Sequence, residues 1–356
     1  MKKNFLFEKK NLSLVKRLRI KEKRDLKNGL RLNRNERVKN FEKGILEKIF
    51  KKTKEYDLGK YPDHEIIYNS LSKFLKIKKE NLLISSGSDG SIKSIFEIFL
   101  SKNDKIAVLS PTYAMYQVYN DVFKTKLIKI NYDENFKLNK KKLFKVIKES
   151  NIKALFIPNP NQPIEDIINN IEMKKICQLC KKKNILLVVD EAYYMFGAPT
   201  AVKLINSFDN IVVLRTFSKS FGLPSIRFGF FIANKKIIDI LNSYRLSYES
   251  NFLTDTVVKY FIDNFKIVKK YINQVKVGRE YTRNECLKLN YNVIGKFSNF
   301  LLIDFRSNEL KVKLVKKLTK NKIYVKSNYQ GILKNCILVT CGTKNIMSKL
   351  IKIFKN

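Results

Sequence analysis

The chain has 356 residues, 44% of them hydrophobic, and its 72 Lys and Arg outnumber 32 Asp and Glu to give a formal net charge of +40. This length and apolar content are enough for a large folded core in one domain or two. The five cysteines fit neither a disulfide framework nor a four-ligand zinc site. The single histidine, His64, excludes chemistry built on clustered histidines.

The positive charge is spread along the chain, because lysines occur in every predicted surface helix. No helix-turn-helix, zinc-finger or RNA-binding signature accompanies it, so we expect no nucleic-acid partner. No apolar run approaches the roughly twenty residues that span a bilayer, and charges interrupt the first segment too closely for a signal peptide. We therefore expect no membrane partner and a cytoplasmic location.

The first fifty residues show no alternation of strands and helices, and we predict an arm there that joins a small domain or a second subunit. Beyond them, short aliphatic runs alternate with amphipathic helical stretches, a pattern typical of a mostly parallel sheet covered by helices. A helix is predicted at 91–100, where Ile92, Ile95 and Phe96 recur on one face. The predicted strands are residues 82–85, 105–109, 154–158, 185–190, 211–216 and 228–233.

The pattern changes after about residue 265. A long polar helix is predicted at 266–289, and this indicates a smaller α+β domain at the C-terminus. Strands are predicted there at 299–305, 322–325 and 337–340. The predicted organisation is an arm at residues 1–45, a large domain at 46–265 and a small domain at 266–356.

Polar residues stand at the carboxyl ends of the predicted strands, where ligands bind in open α/β sheets. The turn at 85–90 offers glycines and free N–H groups to a phosphate, although such turns also cap helices without a ligand. Asp190 ends a buried strand, where a carboxylate is costly unless a cation meets it. A protonated pyridine nitrogen would serve as that cation. Alternatively, Asp190 caps the helix that follows it. Tyr113 follows the predicted strand 105–109. Its ring lies either at the same edge of the sheet or in the core.

Lys219 follows the apolar strand 211–216 and lies among hydroxyl-bearing and small residues. A lysine held in such a pocket has a lowered pKa and becomes a competent amine nucleophile and general base. Arg227, eight positions later, supplies the planar fork that suits a phosphate. The alternative for Lys219 is a solvated surface charge, as for most basic residues of this chain.

Taken in order, seven segments resemble the histidinol-phosphate aminotransferase family of fold-type I pyridoxal-phosphate enzymes. They are residues 32–36, 61–63, 86–89, 111–116, 160–163, 190–193 and 218–227. The resemblance covers roughly residues 30–345, and the Ser218-Lys219 pair with its downstream Arg227 is highly specific when the other segments flank it. It implies a large domain with a mostly parallel seven-stranded sheet, a smaller α+β domain, and a homodimer with shared active sites.

The resemblance also implies a role for each matching residue. Lys219 would carry pyridoxal 5'-phosphate as a Schiff base and move the α-proton of the substrate. Asp190 would pair with the pyridinium nitrogen, and Tyr193 and Gln162 would contact the 3-oxygen of the ring. The other cofactor contacts would be the phosphate ligands Ser88, Asp89, Ser218 and Arg227, the stacked ring of Tyr113, and Tyr61, which would reach the phosphate in the neighbouring subunit.

Three positions depart from the family pattern. Residues 162–165 read Gln-Pro-Ile-Glu where the family usually reads Asn-Pro-Thr-Gly, so Gln162 replaces an asparagine. Leu338 occupies the position of an arginine that binds the α-carboxylate of the substrate. A charge-assisted hydrogen bond is worth about 1.5–3 kcal/mol net, so this exchange affects ordinary amino acid substrates. Lys326 stands where the family carries an arginine for the substrate phosphate.

We therefore expect a pyridoxal-phosphate-dependent aminotransferase that acts on a small, phosphorylated or phosphonate-bearing metabolite. Asn35, Lys326 and Arg37 would bind the substrate, with Arg37 replacing the missing carboxylate anchor. Leu338 leaves open a decarboxylase of an amino acid phosphate, because an apolar wall favours loss of the carboxylate charge as carbon dioxide. A third alternative is a non-catalytic relative with a basic binding surface. No metal site is predicted.

Overall fold

The computed structural model describes residues 29–51, 53 and 58–355. The first 28 residues of the predicted arm therefore lie outside the described residues. The strands, in chain order, are β1 (Leu30–Leu32), β2 (Leu82–Ser85), β3 (Lys105–Ser110), β4 (Lys126–Asn131), β5 (Ala154–Pro158), β6 (Leu186–Asp190), β7 (Ile211–Thr216), β8 (Gly229–Ala233), β9 (Asn292–Ile294), β10 (Phe300–Asp304), β11 (Ile323–Val325) and β12 (Cys336–Thr340).

Helices connect and cover these strands. They are α1 (Ile45–Phe50), α2 (His64–Leu75), α3 (Gly87–Phe99), α4 (Met115–Phe123), α5 (Lys140–Glu149), α6 (Asn170–Lys182), α7 (Lys235–Ser243), α8 (Phe252–Asp263), α9 (Phe265–Lys288), α10 (Asn308–Lys320) and α11 (Lys344–Lys355). Among the described residues, no helix has the length and apolar composition that a bilayer crossing needs.

A seven-stranded sheet forms the centre of the molecule, with the strand order β2-β8-β7-β6-β5-β3-β4. The strands β7, β6, β5, β3 and β4 run parallel to one another. Only β8 is reversed, since it pairs antiparallel with β2 and with β7. Because β5 to β7 are buried along nearly their whole length, they consist almost entirely of aliphatic residues. The predicted α/β class with a mostly parallel seven-stranded sheet is confirmed.

Two apolar clusters lie against this sheet. One packs α3, α4 and α7 on the sheet through residues such as Ile92, Phe96 and Tyr116. The larger cluster includes α5, α6, α8 and α9 and continues into the C-terminal strands and helices. Helices therefore cover both faces of the sheet, and the edge formed by the strand ends is where a ligand can bind.

The C-terminal part has its own small sheets. β10 pairs antiparallel with β12 and with β9, and β1 pairs parallel with β11. An antiparallel bridge between Lys326 and Leu338 connects the end of β11 to β12. The described part of the arm thus reaches the C-terminal strands through β1, although the division of the chain into three parts stays a prediction.

Most predicted elements agree with the structure to within two residues, and the differences have physical reasons. The short strand β1 was missed within the predicted arm, because its three residues pair with β11, which lies far along the chain. The strand β4 was missed because Lys126 and Lys129 interrupt its aliphatic residues at the sheet edge. Helix α3 begins at Gly87, so the turn predicted at 85–90 is already its first turn. All five cysteines are buried free thiols.

Candidate active site

One cleft at the carboxyl ends of the central strands collects almost all of the predicted cofactor residues. Of the ten predicted, nine line the same cleft and only Tyr61 does not. The nine are Ser88, Asp89, Tyr113, Gln162, Asp190, Tyr193, Ser218, Lys219 and Arg227. The strand order explains this arrangement, since β6 and β7 are parallel neighbours whose last residues precede Glu191 and Phe217 at one edge.

Lys219 is the third residue after the end of β7 and lines the cleft from the loop that follows this strand. Its Nζ donates a hydrogen bond to the backbone carbonyl of Asn35 at 3.1 Å and lies 5.9 Å from the ring centre of Tyr193. Burial, reinforced by the charge of Arg227, lowers the pKa of the Lys219 amine to about 8. A larger fraction of this amine is therefore neutral near pH 7 than of an exposed lysine.

Asp190 ends β6 and is only 5% exposed. Its two oxygens accept hydrogen bonds from the Tyr116 hydroxyl at 3.1 Å and from the Ala192 N–H at 3.0 Å. Burial raises the pKa of the Asp190 carboxyl to about 6. Within the part of the chain that the structure describes, no ion pair to this carboxylate is found, so a cationic ligand would relieve the cost of burying it.

Tyr193 and Asn35 contact each other beside Lys219. The Asn35 side-chain amide donates to the Tyr193 hydroxyl at 3.0 Å, which leaves the phenolic proton available for a ligand oxygen. Burial raises the pKa of Tyr193, so the phenol is protonated at neutral pH. Asn35 is itself fixed by Thr340, whose Oγ1 accepts from the Asn35 N–H at 2.9 Å.

A phosphate-sized cradle lies at the start of α3. The helix begins without a side-chain cap, so its first N–H groups remain open to a ligand. Arg227 donates to the Ser86 carbonyl at 3.3 Å and to the Ser218 hydroxyl at 3.4 Å. Two glycines keep these groups close together. A Cβ on Gly229 would lie 2.5 Å from the Gly87 backbone, and one on Gly87 would lie 2.7 Å from the Arg227 guanidinium.

The remaining predicted cofactor residues differ in position. Tyr113 is 38% exposed at the cleft, and Gln162 lines it from the loop after β5. Tyr61 lies elsewhere on the same chain, 77% exposed and stacked on Tyr248 with the ring centres 4.2 Å apart. A residue that acts on a neighbouring subunit would have such an exposed position.

Comparison with known proteins decides the family. The family model of aminotransferase class I and II matches residues 29–354. The chain belongs to this family. As a class I/II aminotransferase it is an enzyme that depends on pyridoxal phosphate and acts on small molecules.

Several relatives of the chain are named histidinol-phosphate aminotransferase. The histidinol-phosphate aminotransferase of Clostridium novyi is 30% identical over 330 residues, covering 92% of this chain and 91% of that protein. That of Pyrococcus furiosus is 31% identical and covers 91% of both chains. A crystal structure of histidinol-phosphate aminotransferase from Sinorhizobium meliloti, in complex with pyridoxal 5'-phosphate, superposes with a TM-score of 0.83 at 17% identity, covering 92% of this chain and 91% of that one.

The cleft of this aminotransferase fits pyridoxal phosphate on its own geometry. The uncapped start of α3 and the Arg227 guanidinium suit the dianionic phosphate. The buried carboxylate of Asp190 suits the protonated ring nitrogen, and the amine of Lys219 lies in the same cleft to bind the aldehyde carbon. Each part of the cofactor therefore finds a group of matching charge or reactivity.

The predicted substrate residues are less uniformly placed. Asn35 lies at the cleft beside Lys219 and Tyr193. Neither Arg37 nor Lys326 is among the residues that line the cleft. The Arg37 guanidinium packs between Phe41 and Tyr271, 3.9 and 4.3 Å from their ring centres. This packing argues against Arg37 as the replacement carboxylate anchor.

Lys326 lies directly opposite Leu338, since the two residues exchange backbone hydrogen bonds of 3.1 and 2.8 Å. Partners in an antiparallel bridge project to the same face, so the Lys326 side chain lies beside the position that lacks the arginine. Burial and then the charge of Arg34 lower the pKa of Lys326. The Lys326 Nζ also lies 5.4 Å from the ring centre of Tyr329.

Sequence reasoning missed two residues near Lys326, namely Arg34 and Tyr329. Arg34 lies in the matched segment 32–36, and its position beside Asn35 was the available signal. The Tyr329 hydroxyl is buried and, in the described ranges, has no hydrogen-bond partner. No local pattern pointed to Tyr329, because it lies in an irregular loop after β11.

Proposed function

We propose that this chain transfers an amino group between a small-molecule donor and an acceptor, one of which carries a phosphate or phosphonate group. The observation that carries the proposal is the single cleft that joins the Lys219 amine, the Asp190 carboxylate and the phosphate-sized cradle at Arg227. The relatives named histidinol-phosphate aminotransferase make L-histidinol phosphate the first substrate to test.

The cofactor would be held at three points of the cleft. Ser88, Asp89, Ser218 and Arg227 would bind its phosphate, because they surround the first turn of α3. Asp190 would keep the ring nitrogen protonated, and Tyr193 and Gln162 would contact the 3-oxygen. Tyr113 would pack against the ring face. When bound, pyridoxal phosphate supplies an electron sink for the carbon that bears the amino group.

Lys219 would hold the cofactor covalently and, once released by a substrate amine, would move the α-proton. A pKa of about 8 means that its amine accepts a proton near neutral pH and returns it readily. The Asn35 carbonyl would orient the released amine, since it accepts from the Nζ at 3.1 Å. The Tyr193 ring beside the amine limits the directions in which it can turn.

The anionic group of the substrate would lie near Lys326 and Arg34. Lys326 sits opposite Leu338 and is close enough to Arg34 for the two charges to influence each other. Two neighbouring cations suit a doubly charged phosphate better than a single carboxylate. Because Leu338 cannot pair with a carboxylate as an arginine would, a substrate without an α-carboxylate, such as an amino alcohol phosphate, suits this site.

A homodimer with Tyr61 acting across the interface belongs to the same proposal. Tyr61 stacks on Tyr248 at the surface. Leu58 and Leu246, which are close to these two tyrosines in the sequence, are exposed apolar side chains. Sedimentation of the purified protein at micromolar concentration tests this part, and a monomer would refute it. The cytoplasmic location remains a prediction, in keeping with five free thiols.

A two-step absorbance experiment tests the aminotransferase function. Added L-histidinol phosphate should abolish the visible band of the holoenzyme, and 2-oxoglutarate added afterwards should restore it, because the cofactor cycles between two half-reactions. Lys219→Ala should show neither change at a comparable rate. A holoenzyme whose band no phosphorylated amine discharges would refute the proposed substrate class.

The buried Leu338 favours one further candidate, a decarboxylase of an amino acid phosphate. With an apolar side chain in place of a guanidinium, a bound carboxylate would lack a partner and would be relieved by leaving as carbon dioxide. Incubation with O-phosphorylated amino acids separates the candidates. Carbon dioxide released without any keto acid would support the decarboxylase, and amino transfer that requires a keto acid would exclude it.

A further inference from the structure

Glu165 occupies the position where the family pattern has a glycine, in the loop between β5 and α6. The start and end of this loop are fixed by Asn159, whose side chain accepts from the Ile168 N–H and donates to the Ile168 carbonyl, both at 3.0 Å. The Asn161 side chain adds a bond to the Ile164 carbonyl at 3.1 Å. Glu165 therefore extends from a hydrogen-bonded loop, three residues after the cleft residue Gln162.

The Glu165 carboxylate binds the turn between β9 and β10. It accepts hydrogen bonds from the backbone N–H groups of Lys296 and Phe297, the latter at 2.7 Å, and from the Ser298 hydroxyl. All three donors are neutral, and both carboxylate oxygens are used. A glycine at position 165 could make none of these contacts.

The same turn is held on its other side by α9. Arg279 donates to the Ser298 carbonyl, and Arg283 donates to the Gly295 carbonyl at 3.1 Å. Glu165 is thus the contact that comes from the cleft side of the molecule.

The turn continues directly into the hydrogen bonds around Lys219. Asn299 follows Ser298, is fully buried, and donates through its side-chain amide to the Asn35 carbonyl at 3.1 Å. That carbonyl is the one that accepts from the Lys219 Nζ, also at 3.1 Å. Glu165, the turn, Asn299 and Asn35 therefore form a continuous chain of contacts that ends at the reactive amine.

We propose that Glu165 is a positioning residue that fixes the turn 296–299 and, through Asn299, holds the Asn35 carbonyl where the released amine of Lys219 donates to it. The inference rests on the proposed role of Lys219 and adds a residue that the family pattern does not contain. It predicts that Glu165 influences how easily Lys219 leaves the cofactor, although the two residues do not touch.

Substitutions at Glu165 separate the hydrogen bonds from the charge. Alanine leaves the three donors without their acceptor. Glutamine keeps an oxygen for the two N–H groups and turns an amide towards Ser298, whose hydroxyl can accept instead of donate. Glu165→Gln should therefore retain most of the effect. The matched control is Glu149→Ala, which removes an exposed glutamate at the end of α5.

Hydrogen exchange of the holoenzyme, read by mass spectrometry, tests the first half of the chain of contacts. Glu165→Ala should speed exchange in a peptide spanning 295–299 by about tenfold or more, because a lost charge-assisted bond is worth that much. Ser298→Ala, which removes one donor of three, should give a smaller increase. Glu165→Gln should stay within about threefold of the wild type, and Glu149→Ala should match it. Unchanged exchange in Glu165→Ala would overturn the inference.

Displacement of Lys219 from the cofactor by aminooxyacetate, followed as loss of the visible band, tests the second half. The released amine finds its acceptor less well placed in Glu165→Ala, so displacement should be several-fold slower than in the wild type, with Glu165→Gln close to the wild type. Faster exchange together with an unchanged displacement rate would overturn the link to Lys219. Neither result bears on whether wild-type Lys219 carries the cofactor, which is tested separately by labelling.

Discussion

Replacing Asp190 with asparagine is expected to stabilise the cofactor-free protein and to weaken its hold on pyridoxal phosphate. Burial raises the pKa of the Asp190 carboxyl from its ordinary 3.8 to about 6. The pKa of Asp190 in the folded protein lies above its pKa in the unfolded chain, so the free energy of unfolding falls as the pH rises from 3.8 to 6. At pH 7 the ionised carboxylate lowers this free energy by about 3 kcal/mol. Asparagine has nearly the same shape without the charge, so it removes this cost.

Urea unfolding followed by circular dichroism measures the stability of both cofactor-free proteins. Asp190→Asn should be more stable than the wild type at pH 7 by up to about 3 kcal/mol, and the difference should shrink as the pH is lowered towards 5. Absorbance titration with pyridoxal phosphate should give the reverse order, with binding at least about tenfold weaker, because asparagine cannot pair with a charged ring nitrogen.

The matched control is Asp209→Asn, at an exposed carboxyl whose pKa is lowered by its hydrogen bond to Lys181. It should leave cofactor binding unchanged. If Asp190→Asn were less stable than the wild type at pH 7, or bound the cofactor equally well, the electrostatic reasoning about this carboxylate would be wrong.

Three other substitutions test the remaining parts of the cleft. Arg227→Ala should release pyridoxal phosphate about tenfold faster in a dialysis experiment, because a charge-assisted pair to the phosphate is lost, and Arg227→Lys should fall between it and the wild type. Gly229→Ala should impair cofactor binding, because its Cβ would lie 2.5 Å from the Gly87 backbone, and the far-UV circular dichroism should stay native. The control Gly59→Ala, which has open space around the added Cβ, should have no effect. Lys326→Met should raise the KM for L-histidinol phosphate about tenfold or more and leave the visible band unchanged, with the exposed Lys320→Met as its control. Equal KM values for the two methionine variants would remove Lys326 from the substrate site.

The cofactor side of the cleft could be predicted because each of its residues follows a strand. Asp190 and Lys219 come after aliphatic runs that are recognisable in the sequence, and the carboxyl ends of neighbouring parallel strands meet at one edge. These features need no knowledge of how distant segments pack.

The substrate side could not be predicted to the same degree, because distant segments build it. Arg37 has the charge of an anchor, but the aromatic rings of Phe41 and Tyr271 hold it away from the cleft. Residue 165 contacts a turn 131 to 133 positions further along the chain. No periodicity or local spacing reports such a contact, so its role became visible only in the packed structure.

Covalent attachment at Lys219 is the central claim, and reductive labelling measures it most directly. The holoenzyme is treated with borohydride, digested and mapped by mass spectrometry, with Lys219→Ala treated in parallel. We predict that a reduced pyridoxyl group is found on Lys219 in about one equivalent per chain and is absent from the variant. A label spread over surface lysines, or an unlabelled Lys219 in a protein that keeps its visible band, would contradict the proposed site.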